Sequence, residues 1–375
     1  MKLSFFISST PGLEAITLRE VQALGYSRAK LVEGGINVVG TMRDLYRCNY
    51  LLRTASRILL RVWEGGAHRF SEITRAIGEL ELSAFADAAT PIAVTATSHS
   101  STLYHTGGIE EAVREGICAQ GHIAAESRGH VATSPSLLIT VRIVRNWCTI
   151  SIDTSGVPLY QRGYKENVGS APLRETLAAA TLEVLNWDPS TPLIDPFCGS
   201  GTIPIEAALR AHRIPAGALR TFGFQLWPHI NRGAWASVMS EASTIAAAHA
   251  EIPTAITGMD ANPEIVAAAC LNAERAGILN RITFSEHDAR DFQPPAAESL
   301  IVANPPYGGR LGDPRGVNEL LSAFGKAVKQ RANGSTLAIL LPAGTPPTVL
   351  GIPLEERMCF LHGGKRVRLY VGQVG

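Results

Sequence analysis

Residues 191–212 limit what this chain can fold into more than any other stretch. Thr191-Pro-Leu-Ile-Asp195 reads as a short apolar strand, Pro196 to Gly201 as a glycine turn, and Ile203 to His212 as the helix that follows. Glycines at 199 and 201 let the backbone turn tightly and approach a ligand, with the helix N-terminus pointing at it. The alternation continues downstream, with apolar strands at Leu193-Ile194, Ile256–Met259, Ile282–Phe284, Leu300–Ala303 and Thr336–Leu341. Such βαβα order predicts a parallel sheet with helices on both faces. Met358 to Val371, turning at Gly363-Gly364, predicts an antiparallel hairpin that finishes it. Ligands of an open α/β sheet bind beyond the carboxyl ends of its strands. Asp195, Asp260, Asp288 and Asn304 all fall there.

The first part of the chain is patterned differently. Leu3–Ile7, a helix marked by Leu13, Ile16, Val21 and Leu24, strands around Gly34-Gly35, a helix at Met42–Leu52 and an extended Ile58–Val62 give a β-α-β-β-α-β unit. A second small α/β region follows: helix Phe70–Leu80, strand Ile92–Thr97, helix Gly108–Gln120, then strands Leu137–Val144 and Cys148–Asp153. Tyr160 to Pro172 is a polar connector, and Leu173–Trp187 is helical. Arg213 to Glu251 looks like a loop and helix inserted between strands.

Composition narrows the class. A 46% hydrophobic content and a net charge of +1 describe a globular chain, with no apolar run long enough for a bilayer and no signal peptide at Met1–Ser8. Six cysteines without a Cys-x-x-Cys pair point to reduced thiols in the cytoplasm rather than disulfides or zinc. No histidine falls at metal-ligand spacing, so no metal is expected. Near-neutral charge means that any phosphate contact comes from local patches. Arg43, Arg47, Arg53, Arg57 and Arg61 are one such set, facing either phosphate or solvent, and Lys365, Arg366 and Arg368 beside the hairpin turn are another.

The two sharpest motifs are Asp195-Pro196-Phe197-Cys198-Gly199-Ser200-Gly201-Thr202 and Asn304-Pro305-Pro306-Tyr307. A dinucleotide fingerprint needs a third glycine where Pro204 stands, and an acid about twenty residues later, which is missing. Asp195 beside the turn suits a ligand with a positive centre. Asp260 is placed to accept from ribose hydroxyls or to cap the helix near Pro263, and Asp288 to accept from an adenine amino group or to sit in a solvated turn. In the second motif, the Asn304 side-chain oxygen and the Pro305 carbonyl are two acceptors for the hydrogens of one exocyclic amine. They pull it toward tetrahedral geometry and localise its lone pair. Pro305 and Pro306 fix φ and aim the carbonyl in advance, and Tyr307 offers a ring on which a base stacks.

With Gly156-Val-Pro-Leu-Tyr-Gln-Arg-Gly-Tyr164 and Ala171-Pro-Leu-Arg-Glu-Thr-Leu-Ala178, these motifs resemble the THUMP-containing RNA guanine-N2 methyltransferases, above all the bacterial enzymes acting on 23S ribosomal RNA. The resemblance implies an α/β chain: a ferredoxin-like module (residues 1–62), a THUMP RNA-binding module (63–155), a connector (156–172) and a class I, Rossmann-like methyltransferase domain (173–375) with a seven-stranded, mostly parallel sheet. It implies S-adenosylmethionine held by Asp195, Pro196, Cys198, Gly199, Ser200, Gly201, Thr202, Asp260, Asp288 and Asn304. From the helix after Pro172, Arg174, Glu175 and Thr176 are cofactor candidates. Asn304, Pro305, Pro306 and Tyr307 would do the chemistry, with structured RNA as partner. The same motif also serves guanine N2 in tRNA, adenine N6 or a protein glutamine amide. A chain that binds RNA in ribosome assembly without turnover is the non-enzymatic alternative.

Overall fold

The computed structural model describes residues 2–125, 137–166, 173–307 and 314–375. Connector residues 167–172, including Ala171-Pro172, lie outside them. The first part comprises β1 (Leu3–Ser9), α1 (Glu14–Ala23), β2 (Lys30–Val32), β3 (Gly35–Gly40), α2 (Met42–Leu51), β4 (Ala55–Gly66), α3 (Phe70–Gly78), β5 (Ile92–His99), α4 (Thr106–Ala119), β6 (Leu137–Val144) and β7 (Trp147–Asp153). Its strands join in one seven-stranded sheet, in the order β2-β3-β1-β4-β7-β6-β5. The ferredoxin-like unit and the region after it therefore share a sheet. Strand β4 makes the link: Leu60 faces Phe5 of β1 on one side and Ile152 of β7 on the other. The strand continues through position 62, where the sequence suggested a boundary, with a bulge in its pairing to β7 between Arg61 and Trp63. Along β6, buried and half-buried residues alternate, as expected of a strand with one covered face.

The second part holds α5 (Glu175–Val184), β8 (Leu193–Asp195), α6 (Thr202–Ala211), α7 (Arg232–Ala248), β9 (Ile256–Asp260), α8 (Pro263–Arg275), β10 (Thr283–Glu286), β11 (Leu300–Ala303), α9 (Pro314–Arg331), β12 (Thr336–Pro342), β13 (Glu355–His362) and β14 (Lys365–Gln373). Its seven-stranded sheet has the order β10-β9-β8-β11-β12-β14-β13, parallel from β10 to β12 and closed by the antiparallel hairpin. Strands β8 and β11 are buried throughout, as strands covered on both faces must be. They lie side by side, with Leu300 opposite Leu193. From β8 the chain runs outward through β9 and β10, then returns past β8 to lay down β11. The β8/β11 crevice is thus the topological switch point, where such folds bind ligands.

The insertion at 213–251 does not stay with the catalytic sheet. Phe222, Phe224, Trp227, Trp235 and Val238 enter the core of the first part, where Tyr46 stacks on Phe224 at 4.4 Å and meets Trp235 edge-on at 6.2 Å. The two sheets are also tied by charge. Glu206 of α6, fully buried, accepts from Arg162 at 3.4 Å and Tyr164 at 3.3 Å, with Arg53 of the first part at 3.9 Å. Each arginine of the row has a carboxylate partner, although Arg43 stays well exposed to water. Arg43 and Arg47 pair with Glu241, Arg53 with Glu206, Arg57 with Asp153 and Arg61 with Glu64. Replacing the fully buried Phe224 by alanine should lower stability by about 3–5 kcal/mol. Urea denaturation measures this, and a loss under 1 kcal/mol, roughly that of a surface change, would deny the insertion its anchoring role.

Candidate active site

The glycine turn is shaped by its backbone. Cys198 N–H donates to Met259 O and Gly201 N–H to Cys198 O, both at 2.8 Å. Gly199 and Gly201 take φ of +52° and +81°, which only glycine adopts freely. A Cβ on Gly201 would press on Ala269, Ile205 and Phe284 at 3.1–3.3 Å, whereas one on Gly199 would meet nothing within 4 Å. Gly201 is therefore a packing glycine, and Gly199 borders open space. The Ser200 carbonyl accepts from Asn272 Nδ2 at 3.0 Å, and Thr202 Oγ1 donates to Leu173 O at 3.5 Å. Pro196 and Cys198 are buried in the same turn. Asn272 was not singled out from the sequence. Its one signal is an amide on the apolar side of α8, between Ala269 and Ala273.

Four neighbouring strand ends present the polar groups. In the order β10, β9, β8, β11 they carry Asp288, Asp260, Asp195 and Asn304. Asp195 is 1% exposed and accepts from Phe197 N–H at 3.1 Å. Burial, reinforced by the Asp260 charge, pushes its carboxyl well above the usual range. Asp260 accepts from Gly199 N–H at 3.2 Å and Asn262 N–H at 3.0 Å. It braces the turn, and the cap of the helix near Pro263, the alternative role for Asp260, is supplied by Asn262. Among the described residues neither carboxylate has a cationic partner within ion-pair distance, so a cationic centre and hydroxyl donors fit between them. Asp288 differs. Its carboxylate is engaged by Arg290, whose hydrogen bonds hold it below the usual range. An adenine amino group would have to share it.

Glu175 opens α5 and is buried at 3% exposure, 3.5 Å from the Lys165 ammonium, which also donates to Leu173 O at 2.8 Å. Thr176 is buried beside it. Arg174 points elsewhere, its guanidinium 4.8 Å from the centre of the Tyr160 ring. At β11, Asn304 Oδ1 accepts from the Tyr307 hydroxyl at 2.6 Å. Pro305 is buried and Pro306 half-buried, and the Tyr307 ring packs against the core around β8 and α6. Burial raises the phenol above its usual range, so it remains a donor. A larger cleft, of about 1250 Å³, opens near Pro189 and Thr254, at the opposite strand ends. None of the motif residues borders it.

Asn272→Ala should cost about 1–3 kcal/mol, because the Ser200 carbonyl loses its buried donor. Thermal unfolding checks this, and an unchanged midpoint would show that the turn holds itself.

Comparison with known proteins identifies the family. Residues 162–348 match the RMKL-like methyltransferase domain, and residues 4–59 the RlmL ferredoxin-like domain. The chain is similar to "Putative RNA methyltransferase slr0064" of Synechocystis sp., at 30% identity over 96% of this chain and 94% of the relative. It is 32% identical to YpsC of Bacillus subtilis, which bears the same description, over 87% of this chain and 85% of that one. The solved structure described as "Crystal structure of SMU.472, a putative methyltransferase complexed with SAH" superposes with a TM-score of 0.87 at 26% identity, covering 100% of this chain and 98% of that one. The chain belongs to the RMKL-like methyltransferase family with an RlmL-type ferredoxin-like domain at its N-terminal side.

Proposed function

We propose that this chain methylates the exocyclic N2 of a guanine in RNA, with large-subunit ribosomal RNA as substrate. The cofactor is S-adenosylmethionine: the related SMU.472 holds SAH, and the paired Asp195 and Asp260 beside the open face of Gly199 fit a sulfonium ligand with an amino-acid tail and a ribose. When bound, it supplies a methyl carbon made electrophilic by the sulfonium. The relatives slr0064 and YpsC, both described as RNA methyltransferases, and the RlmL-type domain support RNA as the acceptor. In this reading residues 1–62 and 63–155 present the RNA, 156–172 connect, and 173–375 carry out transfer.

One observation carries the chemistry. Asn304 Oδ1 takes a short hydrogen bond from a neutral hydroxyl at the carboxyl end of β11, so it is an acceptor aimed at a donor in the pocket. The Tyr307 hydroxyl stands where a hydrogen of the target amine would go. An arriving base displaces it, and its N–H groups are then shared between Asn304 Oδ1 and the Pro305 carbonyl. With the cofactor bound, the amine lone pair, freed from conjugation, would attack the methyl as S-adenosylhomocysteine departs, and positioning by Asn304 and Pro305 would do most of the work. The methylated nitrogen, cationic and acidic, would give its extra proton to water, so no strong base is needed. The Tyr307 ring, once released from Asn304, stacks on the base.

The test is nucleoside mass spectrometry on RNA from cells with and without this gene. Loss of N2-methylguanosine at a single large-subunit site supports the reading; loss of N6-methyladenosine, or of no nucleoside, overturns it. In vitro, Asn304→Ala should reduce methyl transfer by a factor of about 10²–10³, the loss from removing one aimed hydrogen-bonding group at a reacting centre, while cofactor affinity by calorimetry stays within about a few-fold. Tyr307→Phe removes the competing donor and keeps the ring, so its KM for RNA should be no higher than that of the parent. A large rise would give the hydroxyl a direct part in holding substrate.

A further inference from the structure

The motif Gly156–Tyr164 was singled out in the sequence, and methyl transfer as described uses none of its side chains. In the structure it bounds a cleft of about 820 Å³, together with Lys165, Leu173, Arg174, Glu175 and residues 218–221. The charges around this cleft are unevenly settled. Arg162 is balanced by Glu206, Lys165 by Glu175, and Glu166 by Arg275. Arg220 spends its donors on the carbonyls of Ser155, Val157, Pro158 and Gln161, which shapes the connector but leaves its charge uncancelled. Arg174 has no carboxylate partner among the described residues. Its guanidinium lies over Tyr160 instead, held by a cation–π contact with its N–H edge available.

The β13–β14 turn approaches the same place. Strand β12 runs parallel to β11, and its last residue, Pro342, pairs with Val367 of β14. The turn at Gly363-Gly364 therefore projects beyond the strand ends that carry Asn304. Lys365 and Arg366 are exposed there, with no ion pair among the described residues, whereas Arg368 is taken up by Glu356. His362, paired with Lys365 across the hairpin, links the two elements. Burial and the nearby charges of Arg174 and Lys165 all disfavour its imidazolium. Three cations with donors unspent among the described residues thus border the catalytic edge, Arg174 from one direction and Lys365 and Arg366 from the other.

We propose that Arg174, held flat on Tyr160, and Lys365 and Arg366 of the hairpin turn form a phosphate clamp for the RNA backbone beside the target nucleotide. This rests on the reading of the chain as an RNA methyltransferase. A guanidinium fixed on a ring loses little freedom on binding, and its planar fork matches phosphate oxygens. The clamp sits on the catalytic domain and its connector. It would hold the strand locally while the N-terminal sheet engages structure farther away. It also gives Arg174 a role different from the cofactor contact that the family resemblance implied.

The test uses the full chain and a fluorescein-labelled single-stranded oligoribonucleotide, with anisotropy read at several salt concentrations. Arg174→Ala should weaken binding roughly tenfold, the value of one charged hydrogen-bonding group, and reduce the salt slope by about 0.7, one single-strand phosphate contact. Calorimetric affinity for S-adenosylmethionine should not change. Arg174→Lys should recover only part of the loss. Lys365→Ala/Arg366→Ala, on an exposed turn that bears on no core, should reduce the slope further and keeps the test valid if position 174 disturbs folding. Unchanged affinity and slope in both variants would overturn the clamp while methylation by the parent still upheld the function. A parallel fall in cofactor affinity with Arg174→Ala would return that residue to the cofactor pocket and also overturn it. A parent that neither binds nor methylates RNA would sink both.

Discussion

A single buried carboxylate, Glu206, holds the molecule in one working arrangement. It sits on α6, the helix that leaves the glycine turn, and its side chain is fully out of water. Taking such a charge from water is costly unless its partners are close and fixed. Here they come from two places: Arg162 and Tyr164 in the connector hydrogen-bond to it, and the Arg53 guanidinium after α2 lies 3.9 Å away. Arg53 then reaches past the carboxylate to the Leu209 and Ile214 carbonyls where α6 ends. Removing one partner from a buried pair of this kind costs about 3–5 kcal/mol, because the other charge is stranded. The glycine turn, the connector and the N-terminal sheet are thus set relative to one another by one charge.

How far the sequence reaches differs along the chain. In the catalytic part, strands and turns were legible because each short apolar run ends at, or within two residues reaches, a proline or an acid, and a strand buried on both faces has little freedom in composition. The carboxyl-end placement of Asp195, Asp260, Asp288 and Asn304 follows from that periodicity alone. What periodicity does not carry is which partner satisfies a polar group. Asp260 and Asn262 are equally good caps by type, and the structure uses the second because the first is engaged by the glycine turn. Asn272 is similar: an amide inside a helix names no partner, although here it holds the Ser200 carbonyl.

In the N-terminal half the missing information is long-range. Local pattern identified the β-α-β-β-α-β unit, but not that β4 continues as the seam to the next strands, because a strand with two neighbours reads like a strand with one. The arginines from 43 to 61 looked like a basic face. Only Arg61 has a local partner, Glu64; Glu241, Glu206 and Asp153, which pair with the others, lie between roughly one hundred and two hundred residues away, and no window of sequence pairs them. The near-neutral net charge was the hint that such arginines are balanced somewhere.

The aromatic insertion has a consequence for how chains of this kind can be recombined. Phe222, Phe224, Trp227 and Trp235 belong by sequence to the catalytic half and by packing to the other. A cut near residue 155 would leave four large rings wet on one fragment and a matching hollow on the other. Grafting a foreign N-terminal half onto this catalytic half would succeed only when the donor's counterpart of Tyr46 fits those rings. Specificity in such chimaeras would then travel with the seam, not with either half alone.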